Sequence, residues 1–347
     1  MPPNPDKRPN MQQIANAAGV SKSAVSLAMR NDPRIPAATC ERIQTIAADM
    51  GYRRNPVVDS LMVQLRAGRT PSFQANLGLV NCSPHQDLTH NHTFRRLREG
   101  VSRRAERMGY GIEEFWLQQP DLKPHRLKQI LETRGIRGLI LIASLTPGDL
   151  DSAYSELWHN FACAVIGVSP SGSRLNSATN DQYLTARRAT QKARELGFRH
   201  PLLAIPERDD ALLDNKFSAG FRSVEDVAGA EKRLPVVYFD PADCGPAVKS
   251  IRRSGADILL TNKTELYDAL VADGVSVPGD LSVAHLDWHD GIGHLAGMRQ
   301  NNRVVGDAGV DLAVAQLQKN EVGAQEYPKV IQIESVWIDG PSVGKPA

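Results

Sequence analysis

The 347-residue sequence predicts an α/β protein in which a small three-helix head precedes a two-lobed body of parallel sheets flanked by helices. Three observations lead there. Residues 11–50 show helical spacing of apolar side chains interrupted by a glycine turn, and residues 76–286 alternate short apolar strands with amphipathic helices. The roughly 270 residues after position 75 also exceed what one small core accommodates, so two similar lobes are expected.

In the head, Asn10 stands where an N-cap belongs, and Met11, Ile14, Ala15 and Ala18 form one apolar helical stripe. Gly19 supplies the left-handed backbone that ends this helix, Val20 is an apolar plug, and Ser21 caps a second helix. That helix turns Val25, Ala28 and Met29 inward, leaving Lys22, Ser23, Ser26, Leu27 and Arg30 outside. A third helix starting near Pro36 buries Cys40, Ile43, Ala47 and Met50. The outline is a helix-turn-helix, whose small, polar and basic second helix suits the major groove of DNA.

Charge supports the same partner. Residues 1–70 hold ten Lys/Arg against five Asp/Glu, a net of +5, while the remaining 277 residues hold 31 basic and 34 acidic side chains, a net of −3. A basic head facing phosphate is thereby joined to a nearly neutral body. After the three helices, Asn55 and Pro56 give an N-cap followed by proline at the first helical position. Val57, Val58, Leu61, Met62 and Leu65 then form a short apolar stripe. About ten residues are too few for a helix to persist alone in water, so this segment folds only with help. The expected division is residues 1–54 for the head, 55–75 for a hinge helix and linker, and 76–347 for the body.

The string AxxAGVSxxxVSxAxRxxPRIPxxTxERI, followed by GYRxNP, is similar to the N-terminal signature of the lactose-repressor (LacI/GalR) family of transcriptional regulators. It matches without a gap over residues 10–61. The resemblance implies that Lys22 and Ser23 are the main base readers with Ser26 and Leu27 beside them, and that Ser21 and Ala24 lie near phosphates. Arg30, Asn31 and Thr39 become backbone contacts, and Tyr52 joins the DNA-contacting set. It further implies that residues 55–65 form the hinge helix, with Leu61 as the wedge inserted into the minor groove of a kinked duplex. Leu27 stands where many members carry a base-reading arginine; a leucine can touch a thymine methyl but cannot donate a bidentate bond to guanine. Val58 replaces a small alanine and Asp59 a commonly basic residue, which leaves open a plain interdomain linker.

In the body, strands are expected over residues 76–82, 111–117, 138–143 and 164–169, interleaved with helices over 93–108, 124–134 and 149–158. The plan repeats with strands over 202–206, 236–240, 258–261 and 281–286 and helices over 183–196, 215–227, 241–253 and 264–273. The resemblance implies a periplasmic-binding-protein-like body. In it the chain crosses between lobes near 178–181, returns near 300–303 so that 304–320 is a helix of the first lobe, and crosses again before 330. Lobe 1 then comprises about 76–178 and 303–322, lobe 2 about 179–302 and 323–340. Effector-contacting positions map to Ser83, His92, Phe94, Asn215, Asn262 and Asp287, a set suited to sugar hydroxyls, which ask for paired donors and acceptors. Phe217 occupies a place where many members carry an effector-binding arginine, and Lys263 one often taken by aspartate.

Other readings are weighed by the same residues. Met1–Asn10 lacks the apolar stretch of a signal peptide, and no run approaches the ~18 apolar residues of a spanning helix, so a cytoplasmic location is expected. Four scattered cysteines (Cys40, Cys82, Cys163, Cys244) without CxxC spacing argue against disulfides and structural zinc. GIGHLAG, residues 291–297, misses dinucleotide-loop spacing by one residue, and neither histidine cluster, His85/His90/His92 or His285/His289/His294 with Asp287, has HExxH spacing. No catalytic residue, cofactor or metal is expected. The expectation is a homodimeric regulator, most simply a repressor, that binds a pseudo-palindromic double-stranded operator and is controlled by a small, sugar-like molecule between the lobes. The alternatives are a regulator controlled by a protein co-repressor, a solute-binding protein and an NAD-linked enzyme.

Overall fold

The structure is a computed structural model that describes residues 11–29, 31–50, 52, 73–142, 154, 157–167, 174–225 and 234–345. Asn10, Arg30, Val58, Leu61 and the expected hinge helix lie outside them, as does most of the helix expected over 149–158.

Three helices, α1 (Met11–Ala18), α2 (Lys22–Ala28) and α3 (Ala37–Asp49), build the head around Ile14, Ala15, Ala18, Val25, Ala28, Cys40, Ile43 and Ala47. Met29 and Met50, expected inside, are half-buried at the rim of this cluster. The turn is made by Gly19 at φ +65°, with Val20 N–H donating to the Ala15 carbonyl at 3.0 Å. Only a residue without Cβ takes that backbone at no cost, so α1 must stop there. Arg42 reaches from α3 to donate to the Ala18 carbonyl at 3.0 Å, fixing the angle between the helices.

The body holds two six-stranded sheets. The first sheet contains β1 (Ala75–Asn81), β2 (Tyr110–Trp116), β3 (Gly138–Ile142), β4 (Ala162–Ile166), β5 (Asn176–Asn180) and β11 (Val330–Ile333). Its spatial order is β11-β5-β4-β3-β1-β2, parallel throughout. Helices α4 (His92–Arg107) and α11 (Asn302–Lys319) cover one face, and α5 (Pro124–Thr133) packs on the other. The second sheet contains β6 (Pro201–Pro206), β7 (Val237–Phe239), β8 (Ile258–Thr261), β9 (Ser282–His285), β10 (Ala296–Arg299) and β12 (Val336–Ile338). Their order is β12-β10-β9-β8-β6-β7, with only β12 antiparallel. Helices α6 (Gln182–Glu195) and α8 (Lys216–Glu225) lie on one face, α9 (Gly245–Ser254) and α10 (Thr264–Ala272) on the other, and a short α7 (Glu207–Leu212) follows β6. Buried strands such as GLILI of β3 and ACAVI of β4 read as continuous apolar runs because helices shield both faces.

The last crossing differs from expectation. Val330–Ile333 pairs with Asn176–Asn180 of the first lobe, so the chain reaches the second lobe only after Glu334 and Ser335, later than the boundary at 322/323. The run VIQIESVWI reads as one strand, yet Glu334 and Ser335 divide it between two sheets. Strand β5, strand β10 and helix α7 had no sequence expectation. Strand β10 is only four residues with a central glycine, and its place between β9 and β12 is set by tertiary pairing. Gly297 belongs there because a Cβ would overlap the backbone of His285, which accounts for one glycine of the GIGHLAG motif. Helix α7 fills the end of β6 before a turn in which Asp214 and Asn215 are both left-handed, at φ 54° and 56°.

Each lobe uses glycine to bring two helices into contact. A Cβ on Gly306 of α11 would overlap the Leu97 carbonyl oxygen of α4, and one on Gly100 would overlap the Arg303 carbonyl; in the second lobe Gly220 of α8 meets the Tyr183 carbonyl of α6. These obstacles are backbone atoms, which cannot rotate away. Gly306→Ala should therefore destabilise the body by about 1–3 kcal/mol, despite a helix-propensity gain of up to ~1 kcal/mol. The check is a lowered midpoint of chemical denaturation; an unchanged or raised midpoint contradicts the close approach.

Candidate DNA-binding face and interlobe cleft

Helix α2 places Ser21, Lys22 and Ser23 in the open and leaves Ala24, Ser26 and Leu27 half-buried along its outer side. Ser21 caps the helix by accepting from the Ala24 N–H at 3.1 Å, and its Oγ lies 2.9 Å from that of Ser23. The cap fixes the first turn, and with it the direction in which Lys22 leaves the helix. Asn31, at φ 53°, ends the turn after α2, and its Oδ1 accepts from Gln44 Nε2 at 2.6 Å. It therefore serves first to tie α2 to α3. Thr39 is half-buried in the first turn of α3, and Tyr52 packs at the edge of the head core. Sequence reading did not single out Arg34, which Asp32 holds through two contacts of 2.9 Å in the same connection.

Between the lobes lies a cleft of about 720 Å³ lined by residues that follow the carboxyl ends of the strands. Parallel strands present those ends on one edge of each sheet, the usual seat of a ligand in open α/β sheets. Ser83, His92, Phe94, Asn262 and Asp287 all line it. Asn215 does not: it is exposed in the turn before α8, where its carbonyl accepts from Ser218 Oγ and Ala219 N–H. The turn that α7 makes after β6 brings Arg208, Asp209 and Leu213 to the cleft instead. Asn180, Gln182, His285, His289, Gln300 and Asn302 also line it. Those at the crossings carry no spacing motif, and sequence reading assigned none of them to a ligand.

The lobes meet directly at one side. His92 Nε2, at the start of α4, lies 3.0 Å from Asp287 Oδ2, and Thr93 Oγ1 donates to the same oxygen at 3.3 Å. The His92 ring stacks on His289 with centroids 3.9 Å apart, and Arg96 pairs with Asp290 at 2.9 Å. Burial pushes the Asp287 carboxyl up, but its hydrogen bond to His92 and the neighbouring histidines outweigh this and hold it below its ordinary value. Burial and His92 push His289 down. On the lining of the second lobe, Asp209 Oδ2 accepts from Asn262 Nδ2 at 3.2 Å and pairs with Lys263 Nζ at 2.8 Å. At the crossings, Asn180 Nδ2 donates to Asn302 Oδ1 at 2.6 Å and Asn301 Nδ2 to the Glu334 carbonyl at 2.7 Å.

Among the described residues, seven buried side-chain polar atoms have no hydrogen-bond partner, and five of them belong to residues lining the cleft: Asn180 Oδ1, Gln182 Oε1, Asn262 Oδ1, His285 Nε2 and Asp287 Oδ1. Buried polar groups are otherwise paired, so the cleft is where the described residues concentrate unmet hydrogen-bonding capacity. Among the described residues no group of three or more His, Cys, Asp or Glu is arranged to hold a metal ion, and no helix is long and apolar enough to cross a membrane.

A helix-turn-helix head and a two-lobed α/β body with a polar cleft define the class. Residues 10–55 match the family model described as bacterial regulatory proteins, lacI family, so the head is similar to the N-terminal segment of those proteins. In fold, the chain is similar to the transcriptional regulator CelR in complex with cellobiose, at 18% identity and a TM-score of 0.61, over 97% of this chain and all of that one. It is similar also to the lac repressor dimer bound to operator and the anti-inducer ONPF, at 19% identity and 0.58, over 97% and 99%. A third is a LacI family regulator from Enterococcus faecium with bound ribose, at 16% identity and 0.59, over 78% and 100%. No curated protein matches the chain in sequence.

His285 links the cleft to pH. It is 4% exposed, and burial pushes it down to about 4 from 6.5, against the upward pull of Asp287. The unfolded chain takes up this proton near pH 6.5 and the folded one near 4. Stability from this group is therefore complete above pH 6.5 and lost progressively as pH falls to 4, by on the order of 3 kcal/mol. His285→Asn, whose Oδ1 can replace Nδ1 as acceptor for the Asp287 N–H, should show a smaller fall in melting temperature between pH 7 and 4.5 than the unaltered protein. Parallel curves would contradict the assignment.

Proposed function

We propose that the protein is a sequence-specific, DNA-binding transcriptional regulator, acting as a repressor, that binds a pseudo-palindromic operator as a homodimer and responds to a small molecule in the interlobe cleft. The lacI-type head carries this reading: Ser21 and Gly19 set α2 so that Lys22 and Ser23 face outward beyond a closed core. The cleft and its unpaired polar atoms favour a small-molecule effector over a protein co-repressor, which would have no need of a buried polar cavity. Neighbouring structures in fold hold cellobiose and ribose, which supports a hydroxyl-rich ligand. A ligand that binds one lobe arrangement more tightly than the other shifts the separation of the two heads, and that difference in affinity is the whole of the coupling.

Ser83, His92, Phe94, Asn262 and Asp287 are the proposed effector contacts, with Asn180, Gln182 and Asp209 added and Asn215 withdrawn. On DNA, Lys22, Ser23, Ser26 and Leu27 are the proposed base readers, and Leu61 the minor-groove wedge of a hinge helix.

Selection from random duplexes with the full-length protein should recover a two-fold symmetric site. On it, Lys22→Ala should cost about 1–3 kcal/mol and relax preference at one position of each half-site. Equal losses on selected and random DNA would reduce Lys22 to a phosphate contact, and failure to recover any site would overturn the regulator reading. Leu61→Ala should diminish the bend measured by circular-permutation mobility; unchanged bending would return residues 55–65 to a plain linker.

A further inference from the structure

The unpaired atoms of the cleft are unequal in kind. Asp287 Oδ1, Asn262 Oδ1, Asn180 Oδ1 and Gln182 Oε1 are acceptors, whereas His285 Nε2 is a donor, because Nδ1 of the same ring accepts from the Asp287 N–H at 3.1 Å. Two of the acceptors are fixed by chemistry. A carboxylate oxygen only accepts, and Asn262 must turn its Nδ2 toward the Asp209 carboxylate, which leaves Oδ1 for the cleft. Asn180 is oriented by its donation to Asn302. Asn180 and Gln182 are 5% and 7% exposed, so solvent reaches little of either side chain.

Charge follows the same direction. Three carboxylates, Asp209, Glu265 and Asp287, line the cleft against two basic side chains, Arg208 and Lys263, and Lys263 is spent on Asp209 at 2.8 Å. His92 and Thr93 satisfy only one oxygen of Asp287; the other is buried and has no donor. Leaving a buried carboxylate oxygen unpaired is costly, and a charged donor gives the strongest remedy. An ammonium group brings three donors and no acceptor. A neutral polyol brings as many acceptors as donors, and a carboxylate or phosphate brings only further acceptors to a site already crowded with them.

Resting on the reading of the cleft as the effector site, we propose that its ligand is a small organic cation, a hydroxyl-bearing primary amine whose ammonium group sits on Asp287 Oδ1 and which carries no carboxylate or phosphate. Its hydroxyls donate to Asn262, Asn180 and Gln182, and His285 Nε2–H donates to one of them in return. The apolar Phe94 and Phe217 bound the same cleft and take the carbon skeleton.

The test is calorimetric titration of the full-length protein with matched probes: glucosamine, glucose and glucuronate; galactosamine, galactose and galacturonate; and a set of amino alditols and linear diamines. At least one amine should bind at least tenfold more tightly than its neutral counterpart, and its acidic counterpart should not bind. N-acetylation of that amine, which keeps the skeleton and removes the charge, should weaken it at least tenfold without any change to the protein. Asp287→Asn should erase the preference of amine over neutral sugar. Equal or tighter binding of a neutral or acidic probe overturns the inference, as does silence of every amine or survival of the preference in Asp287→Asn. Where a neutral or acidic probe binds and alters operator affinity, only the cationic inference fails. Where no small molecule of any charge binds, the small-molecule reading of the cleft falls with it.

Discussion

Everything in the body depends on the three places where the chain passes between lobes. Asn180 leads from β5 into α6, Arg299 from β10 into α11, and Ile333 from β11 into β12. Because every strand but β12 runs parallel, these crossings hold the carboxyl edges of both sheets face to face. The hydrogen bonds that join the crossings, Asn180 to Asn302, Asn301 to Glu334 and Thr185 to Ser335, bind three separate stretches into one hinge. A cleft lined by strand ends is the geometric result.

The glycine-mediated helix pairs carry this geometry outward. Gly100 and Gly306 seat α4 closely on α11, and Asn91 caps α4 by accepting from the Phe94 N–H at 3.1 Å, so His92 and Thr93 arrive at the mouth of the cleft in fixed positions. There they meet Asp287 of the other lobe. The contact is small: one carboxylate oxygen, one imidazole, one hydroxyl and a ring stack, beside the Arg96–Asp290 pair. A small contact suits the proposed regulator, since allosteric coupling needs only about 1–3 kcal/mol between arrangements. The same carboxylate presents its second oxygen to the cleft, so the lobe contact and the proposed ligand site share one side chain. In the proposed regulator, occupancy is thereby read directly as a change in how the lobes hold each other.

The head was almost wholly legible because its information is local. Helix-stop, cap and core lie within a few residues of each other, and Gly19, Ser21 and Val25 behave as their spacing requires. Asn31 shows the limit: its place after α2 was plain, but its engagement by Gln44, thirteen residues away, was not. In the body, long amphipathic helices and apolar strands were legible, while the four-residue β10 and the division of β11 from β12 were not. A short strand with a glycine at its centre carries too little periodicity to be read, and only the neighbour it pairs with assigns it to a sheet.

Local residue type and spacing encode the head and the strand-helix alternation, since each follows from patterns over one or two helical turns. The resemblance to the lactose-repressor family brought Ser83, His92, Phe94, Asn215, Asn262 and Asp287 into view as one group. Folding alone settles which of them pair with each other, that Asn215 turns to solvent while Asp209 lines the cleft, and that Asn180, Gln182 and His285 leave polar atoms unsatisfied there. Those are properties of atoms brought together from residues up to about two hundred positions apart, and no local pattern encodes whether a buried donor or acceptor has found its partner.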